Sequence, residues 1–378
     1  MRRLAAEIAN KKLILFGTGM VSQLLTEVFD HDVDYYLDNN PNQWGSRFMG
    51  KPVEKPSRLQ DEDAGQIAVL IASSYVDEIS AQLSDMQFVS GVHFWDGYTL
   101  LRKLMPMQKF LPGHYYSPIP SITELELERD RIFGQVPDEI PAISLNRNVQ
   151  LGLLAKFRDI VQSQPFCKQQ AEGKRYFYDN SYYPYGDAII LHAMIKILRP
   201  RKVIEIGSGF SSAVILDTNE ELNRSMDCTF IEPYPERLFS LLKKEDTINL
   251  IQQKVQHVDD RLFKNLDAGD MLIVDSSHVS KTGSDLNHII LNLLPILRSG
   301  VYVHFHDIFY PFEYPEDWVL DGVAWNEAYL LRAFLQHNDA FEIVFWNHYL
   351  FQTCKDVLLS HIPRYAEGPG YSLWIRRR

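Results

Sequence analysis

The chain has 378 residues, 46% of them hydrophobic and 23% charged, enough for two domains with filled cores. A formal net charge of -11 argues against sequence-independent nucleic-acid binding, which needs a basic footprint. No run approaches the roughly 18 apolar residues of a membrane span, so no membrane insertion is expected.

The opening MRRLAAEIANKK is amphipathic and broken by charge, unlike the apolar core of a signal peptide. Cys167, Cys228 and Cys354 are scattered, odd in number and form no C-x-x-C pair. They read as reduced thiols of a cytoplasmic protein.

The first section, 1–98, alternates strands and helices. KLILFGTGM is an apolar strand ending in a G-x-G turn, and VSQLLTEVF follows with helical spacing. VDYYLDNNP is a second strand ending in Asp38 and a turn. QIAVLIASS is a third strand, YVDEISAQLSDM a helix and VSGVHFW a fourth strand. The pattern implies a small parallel sheet, a smaller Rossmann-like α/β domain.

Section 99–182 differs. LPGHYYSPIPS and RYFYDNSYYPYGD are aromatic and proline-bearing, and read as loops. ITELELERDRIFG and NVQLGLLAKFRDIVQS read as helices. AIILHAMIKILRP then forms a strong helix stopped by Pro200. The middle section is expected to pack on the C-terminal domain, 183–378.

From Arg201 the alternation returns with more strands: KVIEIG, DCTFIEP, DMLIVDSS, GVYVHFHD, FEIVFWN and YSLWIRR, with a weak one within 249–258. Helices are expected over 211–223, 235–244, 284–297 and 324–337. The last two strands lack a long helix between them. The sheet is therefore expected to be mostly parallel, with an antiparallel hairpin at one edge.

The turn in VIEIGSGFSS is the most informative stretch. Gly207 and Gly209 permit a sharp turn and close approach of a ligand, with Ser208 between them. The helix starting near Ser211 offers free N–H groups. The third glycine of a dinucleotide motif is replaced by Ser212. Glu205 precedes the turn, and Glu232, Asp275 and Asp307 end later strands. Four acids at strand ends suit a ligand with cationic and hydroxyl groups better than a pyrophosphate.

On these residues the section resembles a class I S-adenosylmethionine-dependent methyltransferase. VIEIGSG is similar to that family's first motif, and FIEP to its second. The resemblance implies a Rossmann-like sheet, with Glu205, Gly207, Ser208, Gly209, Ser211, Glu232 and Asp275 around the cofactor and Glu232 on its ribose. LIVDSSH and FHDIF resemble a bacterial subgroup carrying D-G-D-H and F-H-D, although D-S-S-H here lacks one acid of that pattern. The same fold also serves aminopropyl transfer and other reactions, and strand-end acids also occur as plain caps.

An acceptor hydroxyl needs a base or a metal to become nucleophilic. His278, His304, His306 and Asp307 are the candidates. His306 is the expected base, with Asp307 and His278 beside it, and His304 reads as structural. Alternatively, Asp275, His306 and Asp307 hold Mg²⁺ or Mn²⁺. YPFEYPEDWVLDGVAWNE reads either as an aromatic lid for sugar rings or as a self-packed insertion.

The first section resembles a small Rossmann-like domain of bacterial sugar- and polysaccharide-modifying proteins. Gly17, Gly19 and Asp38 are its candidate nucleotide site, with assembly or docking as the alternative role. The combined expectation is a methyltransferase acting on oxygen of a glycan or glycan precursor. The partners expected are a small-molecule or glycan acceptor and a second copy of the chain, with no nucleic acid. The rival is a non-catalytic nucleotide-sugar-binding or scaffold protein that keeps the fold.

Overall fold

The computed structural model describes residues 8, 11–28, 32–73, 75–104 and 115–378. Most of the opening segment and the start of the aromatic stretch after Thr99 lie outside the described residues. By internal contacts the chain forms two compact units, Met1–Leu111 and Pro112–Arg378. The division falls after the helix Gly97–Leu104, within which residue 98 lies.

The first unit is built on a six-stranded sheet. Its strands are β1 (Lys12–Phe16), β2 (Val33–Leu37), β3 (Arg47–Phe48), β4 (Lys51–Glu54), β5 (Ile67–Ile71) and β6 (Phe94–Asp96), in the order β3-β4-β2-β1-β5-β6. All neighbours are parallel except β3 and β4. Alternation along a strand sends successive side chains to opposite faces. Leu13 and Leu15 of β1 join one apolar cluster, and Ile14 and Phe16 join another, so both faces are covered. The β3–β4 pair, too short to announce itself by periodicity, was not expected from sequence.

The second unit carries seven strands: β7 (Lys202–Ile206), β8 (Asp227–Ile231), β9 (Asn249–Ile251), β10 (Met271–Val274), β11 (Tyr302–Phe305), β12 (Phe341–Trp346) and β13 (Leu373–Arg377). Their order is β12-β13-β11-β10-β7-β8-β9. β13 is antiparallel to both neighbours, and the strands from β11 to β9 are parallel. The expected edge hairpin needs correction. β12 and β13 do pair antiparallel, but segment 347–372 joins them through helices Asn347–Thr353 and Lys355–His361. The last strand is therefore inserted inside the sheet.

The chain leaves β7 toward β8 on one side, and β10 lies on the other. This reversal opens a crevice at the carboxyl ends of β7 and β10, the usual ligand position in open α/β sheets. Helix α1 (Tyr185–Leu198) is almost wholly buried and ends at Arg199, a left-handed residue before Pro200. Helix α2 (Phe210–Glu221) starts at the glycine turn. The expected helix over 284–297 is continuous but contains a π-helical turn, Ile289–Leu293.

An ion cluster fixes the aromatic loop before α1. The buried Arg175 guanidinium meets Asp217 at 2.7 Å, Glu220 at 2.8 Å and Asp246 at 2.5 Å. Removing Arg175 would leave buried carboxylates uncompensated, a loss of about 3–5 kcal/mol for such pairs. Further along, Asn180 Oδ1 accepts the N–H groups of Tyr182 and Tyr183 at 3.1 and 2.7 Å. Both tyrosines are thereby delivered to the crevice.

Candidate active site

A cavity of about 270 Å³ occupies the crevice. The turn 207–211 forms its floor, Glu232 and Arg237 one wall, and Asp275, His278, His306 and Asp307 another. Tyr182, Tyr183 and Trp325 close the rim. The expected site residues Gly207, Ser208, Gly209, Ser211, Glu232, Asp275, His278, His306 and Asp307 are thus brought together.

The two glycines play different parts. Gly207 has φ +81°, and a Cβ there would overlap the Asp275 carbonyl. Its absence of a side chain is enforced by the neighbouring strand end, and not by ligand approach as the sequence suggested. Gly209 is extended, with φ -178°. A Cβ there would meet only the flexible stem of Arg237, 3.2 Å from Cδ.

Glu205 is beneath the floor and does not line the cavity. It is 0% exposed and accepts the Ser212 hydroxyl, whose oxygen in turn accepts Gly209 N–H at 3.0 Å. Burial pushes its carboxyl up to about 8, so it is protonated at neutral pH. Glu205 braces the turn.

Glu232, at the end of β8, accepts Ser208 N–H at 3.0 Å and Tyr234 N–H at 2.8 Å. These bonds orient the carboxylate while leaving it at the cavity wall. Burial raises its pKa, and the two backbone donors oppose that. Such a fixed acceptor fits a vicinal diol, as a ribose presents. The buried Ser211 hydroxyl, also on the cavity, has no partner among the described residues. The donor set of the turn and Glu232 therefore fits an adenosine-containing cofactor.

Around Asp275 the sequence-visible residues meet two that sequence reasoning missed. His278, held at φ +57°, lies between Asp275 (Nε2 to Oδ1 3.4 Å) and Glu327 (Nδ1 to Oε2 2.6 Å). Its ring stacks on Trp325 at 4.1 Å. Burial opposes its charge, but the two carboxylates outweigh it and raise its pKa well above 6.5. Its ring is thus braced between two carboxylates that favour the protonated form. Burial likewise opposes ionisation of Asp275, yet His306 and His278 bring it down to about 2.

His306 lies at the end of β11, its Nε2 3.4 Å from Asp307 Oδ1 and its Nδ1 3.9 Å from Asp187 Oδ2. Burial works against its protonation, but Asp307, Asp275 and Asp187 prevail and raise its pKa. Asp187 is itself held by the N–H groups of Tyr371 and Ser372, each at 3.0 Å. Asp307 sits at φ +54°, and burial raises its pKa. His304 is wholly buried against Tyr183 and Trp374, and burial depresses its pKa to about 3. It does not line the cavity.

The metal expectation finds little support in this geometry. Among the described residues no group of three or more His, Cys, Asp or Glu is arranged to hold a metal ion. Instead His306 pairs with Asp307, and Asp275 with His278. The lid expectation also resolves. Tyr310, Phe312 and Tyr314 are buried in an aromatic cluster with Trp346 and Trp325, and only Trp325 of that stretch lines the cavity.

In the first unit, Gly17 (φ +123°), Gly19 and Asp38 also gather at strand ends. Asp38 is already engaged there: Thr18 Oγ1 donates to Oδ2 at 2.5 Å and Asn40 N–H to Oδ1 at 2.8 Å.

Among the described residues no helix is long and apolar enough to cross a membrane. Cys167, Cys228 and Cys354 are free thiols.

Comparison with known proteins bears on this cavity. A curated protein of Archaeoglobus fulgidus, described as uncharacterized, is 34% identical over 163 residues, 42% of this chain and 74% of that one. The SAH-bound Podospora anserina methyltransferase PaMTH1 is 11% identical, with a TM-score of 0.35 over 72% of this chain and 99% of its own. A structure of cmcI with Mg-SAM is 17% identical, with a TM-score of 0.33 over 72% of this chain and 98% of its own. Such low structural overlap leaves the assignment to the sequence match and the site. Residues 204–308 match the methyltransferase-domain family. That match begins inside β7 and ends just past Asp307, spanning the strand ends that build the cavity, and the chain carries an S-adenosylmethionine-dependent methyltransferase domain.

Proposed function

We propose that the enzyme methylates a hydroxyl oxygen of a glycan or glycan precursor, with His306 as the proton acceptor. The observation that carries the acceptor step is His306 itself. It lines the cavity, is almost fully buried, its Nδ1 makes no hydrogen bond among the described residues, and its Nε2 has Asp307 at 3.4 Å. When bound, S-adenosylmethionine supplies an electrophilic methyl group. Glu232 and the 207–211 turn orient it, and Tyr183 and Trp325 help exclude water. His306 takes the hydroxyl proton as the oxygen becomes nucleophilic. Asp307, Asp275 and Asp187 then surround the resulting imidazolium with negative charge, so the proton transfer is favoured.

A glycan acceptor is supported by the aromatic character of the cavity rim, to which Tyr182 and Trp325 contribute. The first unit's resemblance to domains of sugar-modifying proteins points the same way. Nucleotide binding at Gly17, Gly19 and Asp38 would require Asp38 to exchange Thr18 and Asn40 for ribose hydroxyls.

The test is transfer of a labelled methyl group to a panel of sugar hydroxyl acceptors. His306→Ala is expected to lower turnover by about 10²–10⁴-fold with cofactor affinity nearly unchanged. Activity in the wild type should fall with acid through a midpoint above 6.5, because the raised pKa keeps the ring protonated further up the scale. Equal turnover in wild type and His306→Ala would remove His306 from the mechanism. Transfer to nitrogen or carbon acceptors alone would remove the hydroxyl assignment.

A further inference from the structure

Among the described residues the cationic side chains around the cavity are paired with carboxylates, with one exception. His278 has Asp275 and Glu327, and His306 has Asp307. Arg237 has no carboxylate within ion-pair distance among the described residues. Its guanidinium carbon instead lies 3.7 Å over the Tyr182 ring, and Tyr182 stacks in turn on Phe210 at 5.8 Å. The aliphatic stem of Arg237 passes over Gly209, where a Cβ would crowd it. A cation held flat on an aromatic ring keeps its edge donors free for an anion.

The charges of S-adenosylmethionine are fixed by its chemistry. It has a ribose diol, two cationic centres at the sulfonium and ammonium, and one anion, the α-carboxylate. The cavity offers an oriented carboxylate at Glu232 for the diol and an ionised Asp275 for the cations. Of the cationic side chains lining the cavity, Arg237 alone has no acid partner among the described residues and is left to answer the carboxylate. We infer that Arg237 is the residue that binds the carboxylate of the cofactor's amino-acid end, and that Tyr182 and Gly209 hold it in place. Arg237 thereby discriminates the whole cofactor from adenosine thioethers that lack the amino-acid tail. The inference rests on the methyltransferase assignment.

The test is calorimetry on the full chain with two probes, S-adenosylhomocysteine and 5′-methylthioadenosine, the second lacking the carboxylate and ammonium. Wild type should prefer S-adenosylhomocysteine. Arg237→Gln should cut that preference by about 10–100-fold by weakening S-adenosylhomocysteine alone, the usual worth of a charged hydrogen bond. Unchanged 5′-methylthioadenosine affinity in the variant shows that its adenosine site is intact. Arg237→Lys should recover part of the preference. Equal weakening of both probes would make Arg237 a structural residue and overturn the inference, as would an unchanged preference. Failure of wild type to bind either probe would instead strike the methyltransferase assignment.

Discussion

The two glycine turns of this chain share a frame and differ in what they hold. In each unit the first turn N–H donates to the last residue of the next strand, Gly17 to Leu37 at 2.7 Å and Gly207 to Ile231 at 3.0 Å. Each first glycine has positive φ, and a Cβ there would meet the carbonyl just past the strand on its other side, Ala72 or Asp275. Five residues after it stands a buried serine, Ser22 or Ser212. The residues around the frame diverge. Leu15 stands where the second unit has Glu205, and Ala72 where it has Asp275. The glycines therefore report close packing at a crossover point of a parallel sheet. Ligand chemistry resides in the strand-end side chains.

Exchanging the features of one turn for those of the other sharpens this contrast. The largest effect is expected from Gly207→Ala. A left-handed conformation costs about 1–3 kcal/mol for a non-glycine residue, and overpacking costs about as much again. Thermal melting should show marked destabilisation, and calorimetry no cofactor binding. Gly17→Ala should also destabilise, since its Cβ would stand 2.7 Å from the Ala72 carbonyl, but cofactor affinity should survive. Loss of cofactor binding in a folded Gly17→Ala protein would break the separation of roles.

Next comes the acid that follows the second strand. Glu232→Ala is expected to weaken S-adenosylhomocysteine by roughly 1.5–3 kcal/mol, through loss of charged hydrogen bonds. Asp38→Ala should leave that affinity unchanged and cost only stability, about 1 kcal/mol from its two turn bonds. Equal calorimetric results for the two variants would deny Glu232 its place at the cofactor.

The smallest effect concerns Glu205 and its counterpart Leu15. The Glu205 carboxyl is raised to about 8 in the folded protein, against 4.5 for the free side chain. Folding thus favours its protonated form. The resulting stability is complete below about 4.5 and is lost as pH rises through about 8. Glu205→Gln cannot ionise. Its melting temperature should fall less than that of wild type between those limits, by on the order of a few degrees. Parallel melting curves across that range would show that Glu205 is ionised in the fold.

Much of the second unit was legible because buried parallel strands are written as continuous apolar runs. KVIEI, TFI, MLIV and YVHF each end one residue before the one that lines the crevice: Gly207, Glu232, Asp275 and His306. The turn and its acids could be placed from that alone. Glu327 could not, because it meets His278 across 49 residues of chain and such pairing leaves no periodic trace. Asp187 was hidden in the same way, being an acid in the first turn of an apolar helix, where a capping role is the ordinary reading. The aromatic stretch 310–327 was ambiguous for another reason: exposed stacking rings and a self-packed cluster have the same composition. Only burial separates them, and it put Tyr314 inside and Trp325 at the rim.

The insertion of β13 between β11 and β12 sets an order of events during synthesis. A ribosome-bound chain that has not yet released Leu373–Arg377 carries β11 with one edge unpaired, and β12 has no neighbour at all. Asp187 also waits, because two of the backbone donors that hold it belong to Tyr371 and Ser372. The helices and glycine turn can form earlier, but the strand that delivers His306 and Asp307 stays an open edge until then. Open edges recruit other strands. The nascent chain is thus most prone to mispair in the interval before β13 emerges and takes its place between β11 and β12.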